Sequence, residues 1–420
     1  MRVRFDYGAD GLDVDLPDDR ATIIEPRVRA AVADPGAALV SALRAPIGAP
    51  PLREVARRGG RVAISVCDIT RAQPRREMLD ALFEEMPDVR ADAVTILIAT
   101  GTHRSNTPAE LEAMLGADIV RRCRVVNHDS RDASTLAHVG DTATGVSVYL
   151  NRLWLDADLR ITTGFVEPHF FAGFSGGPKG IMPGVAGLQT ILSNHGARNI
   201  GDPNATFGIT QGNPIWEEMR DIALRPGRSF LINVTLNDQR EITGVFAGDL
   251  IEAHQRGCQF VKESAMQKVD APFDIVVTTN SGYPLDQNLY QGVKGMSAAA
   301  RILKPGGTLI LACECRDGIP AHSSYERILS RASTVEEMLG RLTAPGTYLP
   351  DQWQAQIQGL IQRRAQVFLY SSLAEATVRG AHLVPCHDIG AKVKQLLQDK
   401  VNGQHVGVLP QGPLTIPYLA

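Results

Sequence analysis

Three of the ten histidines, His103, His169 and His195, stand in glycine-flanked segments, two of them close to a single lysine, Lys179. His169 lies ten residues before Lys179 (179 − 169) and His195 sixteen after it (195 − 179). The stretch "EPHFFAGFSGGPKGIMPG" (167–184) carries His169 and Lys179 together. Imidazole both gives and takes a proton near neutral pH, and it is a common ligand for nickel, copper, iron and zinc. A lysine held on a rigid loop suits either pairing with phosphate or covalent attachment of a cofactor. Glycine weakens helix and strand alike, so this loop is built for close approach to its backbone. The amides of Gly173, Ser175, Gly176 and Gly177 could form a concave anion nest with phosphate as guest. The P-loop pattern is absent, because Pro178 precedes the lysine and Gly180 follows it. A tight turn and hydrogen-bonded structural histidines are the plain readings of these features one at a time. Their concentration in one region favours chemistry.

Further candidates follow other apolar runs. "DITR" brings Asp68 and Arg71 onto one loop, where the arginine suits a bidentate grip on a carboxylate and a local salt bridge is the alternative. Tyr290, Gln291 and Lys294 follow "FDIVVTTN", and the last two, three apart, share a face if the segment is helical. No H-E-x-x-H or similar zinc signature occurs. His128, His138, His254 and His322 stand alone in polar or helical contexts and read as structural. "LKPGGTLILA" (303–312) reads as a helix-to-strand turn, without the glycine loop of a methyl-donor site. "HDIG" (387–390) reads as a strand exit into a helix.

The elements that must position these residues alternate strand and helix. "RVAISVCDIT" (61–70), "AVTILIATGT" (93–102), "RCRVVNHDS" and "LRITTGFV" read as strands, with a helix around Met78 to Glu85 and a capped helix starting at Thr107-Pro108-Ala109-Glu110. A second series, "FDIVVTTN", "GTLILACE", "QVFLYSSL", "AHLVPCHD" and "HVGVLP", comes after the helical "AHQRGCQFVKESAMQKVD". The expected fold is therefore α/β in two domains: a larger, mostly parallel cofactor-binding catalytic domain over 1–268 and a smaller Rossmann-like domain over 269–420. Ligands of such sheets bind beyond the C-terminal strand ends. Asp68, Arg71, His103 and His169 all come directly after strand runs, so the active site is expected in an interdomain cleft.

Composition narrows the function classes. A length of 420 residues exceeds one ordinary core. The formal charge of −3 offers no basic field for nucleic acid. Six scattered cysteines without a C-x-x-C pair argue against disulfides and structural zinc. The N-terminal stretch has no apolar h-region, and no apolar run is long enough for a bilayer, so a soluble cytoplasmic protein without membrane partners is expected.

Taken in order, "DITRAQP", "GTHR", "EPHFFAGFSGGPKGIMPG", "NHGARN" and "YQGVKG" resemble the nickel-dependent lactate racemase family, with the matches running from Asp68 to Lys294 and a further one at Trp353. The His–Gly-rich–Lys segment is the most specific part. The resemblance implies a nickel pincer nucleotide (the nickel complex of pyridinium-3-thioamide-5-thiocarboxylic acid mononucleotide), held covalently by Lys179, with His195 as the protein ligand to nickel. It implies that His103 and His169 are paired acid/base groups, and that Arg71, Gln291 and Lys294 hold the substrate carboxylate and neighbouring oxygens. Tyr290 and Trp353 would line the site, Asp68 would help fix the nucleotide, and the loop of Gly173, Ser175, Gly176 and Gly177 its phosphate. The implied reaction inverts carbon 2 of a 2-hydroxy acid by hydride transfer through a 2-keto acid, and it depends on the cofactor's biosynthetic enzymes. Phe170 and Phe171 suggest an apolar wall, favouring lactate or a related apolar acid. The alternatives are an epimerase of a larger acid such as an aldonate, and a nucleotide-binding homologue without racemase activity.

Overall fold

The computed structural model describes residues 1–56, 60–398 and 403–419. The chain forms two compact units, one of Val28–His195 with Asn204–Lys262, the other of Met1–Arg27, Gly196–Pro203 and Glu263–Ala420. This differs from a single division at 268. The first residues join the C-terminal unit because Ala21–Ile23 is an edge strand of its sheet, Ala21 pairing in parallel with Val406. The hairpin of Arg2–Phe5 and Leu12–Asp15 also buries Val3, Phe5 and Val14 in the same core as Ile275 and Val277. Gly196–Pro203 joins it for a local reason: Gln356 Nε2 donates to Ala197 O at 2.8 Å.

The first unit is built on a six-stranded sheet in the order Ile242–Asp249, Phe230–Leu236, Leu159–Phe165, Val62–Cys67, Val94–Ala99, Arg124–Asn127. Every pairing is parallel except the hairpin at the first edge. Val62–Cys67 is apolar on both faces because helices cover it, and Ile64, Val66, Ile96 and Ile98 share one core with Leu39, Leu43, Met78 and Leu82. Each such side chain contributes roughly 1.5–3 kcal/mol on burial. The helix expected around Met78 begins at Arg75, directly after Pro74. The capping box at Thr107 and Glu110 is present. Because three neighbouring central strands run in parallel, the residues after Cys67, Ala99 and Phe165 emerge at one sheet edge. Parallel strands all end on the same side of their sheet, which is where such folds place ligands.

In the second unit the sheet order is Val384–Pro385, Gln366–Tyr370, Leu303–Ala312, Phe273–Thr279, Val406–Leu409, Ala21–Ile23, all parallel. Residues 303–312 are not a turn leading into a strand. The whole run is strand, and "KPGG" is an irregularity within it: Leu303 pairs with Phe273, and the register then shifts so that Thr308 pairs with Ile275. The helix Leu289–Ala300 lies against this sheet through glycines. A Cβ at Gly295 would stand 2.2 Å from Thr279 O, and one at Gly292 would stand 3.0 Å from Cys313 Sγ. Among the described residues no helix is long and apolar enough to cross a membrane, and all six cysteines are free.

Candidate active site

The loop after Val62–Cys67 is fixed from behind. Arg75 Nε donates to Cys67 O at 2.8 Å, and its Nη2 donates to Arg71 O at 2.7 Å and also to Asp68 O. Gln73 Oε1 accepts from Cys67 N at 2.9 Å, while its Nε2 reaches Thr163 Oγ1 on the neighbouring strand. The backbone of Cys67, Asp68 and Arg71 is thereby tied down, and the Asp68 and Arg71 side chains are carried by it. Asp68 is almost wholly buried, and both of its oxygens are occupied. Oδ2 accepts from His103 Nδ1 at 2.6 Å; Oδ1 accepts from Thr70 N at 2.8 Å and Thr70 Oγ1 at 2.5 Å. Burial alone would raise the carboxyl, but the hydrogen bond and charge of His103, with Thr70 and Arg71, bring it down to about 2. Asp68 therefore holds His103 in place.

His169 sits in the short hairpin of Pro168–His169 and Gly173–Phe174, and its Nδ1 accepts from Ala172 N at 3.2 Å. Its ring lies 5.0 Å from Phe170 and 4.5 Å from Phe171, and Phe171 in turn lies 4.9 Å from the His195 ring. Both phenylalanines are buried against the His169 ring.

The glycine-rich loop works through proximity. Cβ atoms at Gly173, Gly176 and Gly177 would stand 2.2–2.4 Å from Ile209 O, Asn233 Oδ1 and the His254 ring, and all three glycines have positive φ. Several of its amides are already engaged. Ser175 N donates to Glu167 O, Gly177 N to Asn233 Oδ1, and Lys179 N to Gly176 O. The loop thus shapes a seat for Lys179. His254 belongs to that seat: its Nε2 donates to Ser175 O at 2.9 Å, and burial pushes its pKa down to about 4. Sequence reasoning makes His254 a bystander and passes over Asn233 altogether. The signal for Asn233 is an amide in the middle of the apolar strand "FLINVTL". The signal for His254 is its helix spacing of four from Cys258 on a buried face.

Lys179 lies close enough to Cys67 and to His195 for its charge to bear on both. The first places the lysine's charge near the Asp68–Arg71 loop, the second near the remaining histidine. His195 ends the helix Leu188–Asn194 and is buried; burial first, and then the Lys179 charge, push its pKa down to about 3. Its tautomer is set by Asn194. That amide gives its N–H groups to Ile215 O and Glu218 Oε2, so its Oδ1 faces His195 Nδ1 at 3.0 Å and accepts the proton there. Nε2 is left with the lone pair. A neutral imidazole with a fixed lone pair, close enough to a lysine to feel its charge, suits a single metal ligand near a covalent anchor. The residues present fit a nickel-bearing group attached at Lys179. Among the described residues no cluster of three or more His, Cys, Asp or Glu is arranged to hold a metal by itself, so the other ligands would have to come from such a group.

Tyr290, Gln291, Lys294 and Trp353 all belong to the second unit. Gln291 and Lys294 lie on the partly exposed face of Leu289–Ala300, about a quarter-turn from its glycine face. Tyr290 OH donates to Asp351 Oδ1 at 3.2 Å, and Gln354 Nε2 donates to Tyr290 O, which joins Tyr290 to the start of the helix carrying Trp353.

An α/β protein whose parallel-strand exits gather an Asp–His pair, a second histidine, a seated lysine and a buried neutral histidine has the anatomy of a cofactor-dependent acid/base enzyme. Its family is shown by comparison with known proteins. The family description "Lactate racemase N-terminal domain" matches residues 7–208, and "Lactate racemase C-terminal domain" matches 268–416. The chain is 37% identical to the lactate racemase of Thermoanaerobacterium thermosaccharolyticum over 420 residues, covering 98% of this chain and 97% of that one. It is also 37% identical to the lactate racemase of Lactiplantibacillus plantarum, covering 87% of each. The solved lactate racemase apoprotein from T. thermosaccharolyticum superposes with a TM-score of 0.93 at 36% identity, covering 99% of this chain and 100% of that one. A Thermotoga maritima protein at TM-score 0.62 and 18% identity, covering 88% of this chain and 98% of that one, shares the fold. The chain belongs to the lactate racemase family.

Proposed function

We propose that this chain is a racemase that interconverts the enantiomers of lactate or a closely related short, apolar 2-hydroxy acid, using a nickel pincer nucleotide held by Lys179 and His195. The observation that carries the reading is the buried, neutral His195, its lone pair fixed on Nε2 by Asn194, within reach of the Lys179 charge. When bound, that group supplies an acceptor and donor of hydride, which no side chain provides. The chain's own residues handle the rest of the substrate. Arg71 grips the carboxylate, with Gln291 and Lys294 on the neighbouring oxygens and Tyr290 and Trp353 as walls. His103, steadied by Asp68, exchanges the hydroxyl proton of one enantiomer, and His169 that of the other. Two histidines are needed because the hydroxyl points in opposite directions in the two enantiomers, with a planar 2-keto acid between them. Phe170 and Phe171 around His169 favour an apolar substituent over the hydroxyl-rich chain of an aldonate. The cofactor's biosynthetic enzymes are required partners, and a reducing compartment such as the cytoplasm suits the free cysteines.

The test is the denatured intact mass of the protein co-produced with those biosynthetic enzymes, beside Lys179→Ala. A mass adduct on the parent that vanishes in the variant is expected. No adduct on the parent, under conditions that load another lactate racemase, would overturn attachment at Lys179.

A further inference from the structure

We propose that the two acid/base histidines rest with their ring protons on opposite nitrogens, His103 ready for proton exchange at Nε2 and His169 latched in a form that must be released before it can work. This rests on the acid/base roles proposed for the two residues. The partners decide the matter, because each has only one role. Asp68 is a carboxylate and only accepts, so at 2.6 Å His103 Nδ1 must carry the proton and Nε2 the lone pair. The Ala172 backbone N–H only donates, so at 3.2 Å His169 Nδ1 must carry the lone pair, and the proton of the neutral ring sits on Nε2.

Proton counting gives the consequence. When His103 takes a hydroxyl proton at Nε2, it becomes an imidazolium whose Nδ1–H stays on Asp68. Giving the proton back restores the starting form, and no hydrogen bond is broken in either direction. His169 cannot cycle that way from its resting form. To exchange a proton with substrate through Nε2, it must alternate between imidazolium and the neutral form protonated on Nδ1. Both forms place an Nδ1–H against the Ala172 N–H, two donors face to face. Entry into the cycle therefore requires one proton from solvent onto Nδ1 and loss of the Ala172 bond. Ala172 lies in the loop of a hairpin only two residues per strand, closed by the pairing of His169 with Gly173, so the latch and the histidine move on the same small element. Asp68 is thus a positioning residue that keeps His103 in cycle, and the Ala172 amide is one that holds His169 out of it.

The experiment uses the full chain labelled with nitrogen-15, with His103→Gln and His169→Gln identifying the two rings. The expected result at mildly alkaline pH is a protonated Nδ1 for His103, a protonated Nε2 for His169, and a scalar coupling across the Ala172 N–H···Nδ1 bond. Protons on the same nitrogen in both rings, or no such coupling, would overturn the proposal. Asp68→Asn supplies a second readout, since an amide can donate to Nδ1. His103 should then switch to the Nε2–H form, and turnover should fall by roughly 10⁴-fold with the fold intact, as when the buried aspartate of a Ser-His-Asp triad is made an amide. An unchanged His103 tautomer in a folded Asp68→Asn protein would contradict it. The spectra need no cofactor. Opposite tautomers in a protein that fails to racemise lactate would sink the proposed function alone, and racemisation with like tautomers would sink this inference alone.

Discussion

The strand exits of the first unit and the helix Leu289–Ala300 of the second position their side chains in opposite ways. At the strand exits, loops are held by side chains from elsewhere: Arg75 and Gln73 clamp "DITR", while His254 and Asn233 hold the glycine loop. On the helix, periodicity alone puts Gln291 and Lys294 on one face, and glycines let the neighbouring face press onto the sheet. Loops give freedom to place reactive atoms but need many supporting bonds. A helix needs only its backbone and a close contact, and what it offers is a fixed spacing. Proton transfer belongs on the first kind of scaffold, where a histidine can be given a dedicated partner; two polar side chains held at a set separation suit the second.

The sharpest way to break that contrast is to remove a loop-borne reactive group. His103→Ala and His169→Ala should each lower kcat by roughly 10²–10⁴-fold while the cofactor mass adduct stays on Lys179; an undiminished rate in either removes that residue from the mechanism. Next comes Arg71→Lys, which keeps the charge and loses the fork. A rise in KM of about 10–100-fold is expected, in line with the loss of one charge-assisted hydrogen bond. An unchanged KM would leave Arg71 a structural loop residue.

Glycine substitutions probe the two scaffolds themselves. Gly177→Ala puts a Cβ 2.4 Å from the His254 ring at a φ of +53°, and Gly295→Ala puts one 2.2 Å from Thr279 O. Each should cost on the order of 1–3 kcal/mol. Only Gly177→Ala should also disturb Lys179, read as slower or incomplete loading in the mass spectrum. Equal loading in both variants would mean that the glycine loop does not seat the lysine.

The smallest expected effect is on acid stability. His195 and His254 have folded pKa values of about 3 and about 4, below the ordinary 6.5. Between those values and 6.5 the unfolded chain binds protons that the folded chain refuses. Stability therefore rises with pH across that window and is lost as pH falls below 6.5. Replacing His254 with Gln should flatten the urea midpoint against pH between about 4 and 6.5, and an equally steep profile would show that His254 is not buried neutral.

Much of this is legible in the sequence where the information is contiguous. The apolar runs ending at Cys67, Ala99 and Phe165 are strands because helices cover both faces, and the residues directly after each run stand at a strand exit. The Thr107 cap and the Gln291–Lys294 spacing are likewise written locally. The illegible part depends on contacts distant in sequence. Asp68 and His103 are thirty-five residues apart, and nothing in either motif says that they pair. Asn233 supports a loop fifty-six residues before it. The first 27 residues read as a preface to the nearest domain, and only the pairing of Ala21–Ile23 with Val406–Leu409 assigns them to the other. The glycines announce close approach correctly, but they do not name Ile209, Asn233 and His254 as the neighbours.

The most direct measurement is chiral chromatography of lactate incubated with the protein co-produced with the cofactor's biosynthetic enzymes, starting from each enantiomer in turn. The account predicts that both runs converge on a racemic mixture. It also predicts equal kcat/KM in the two directions, since enantiomers have the same free energy, and failure of both directions in His103→Ala and in His169→Ala. A loaded protein that leaves either pure enantiomer unchanged, or racemises it as well without one of those histidines, would contradict it.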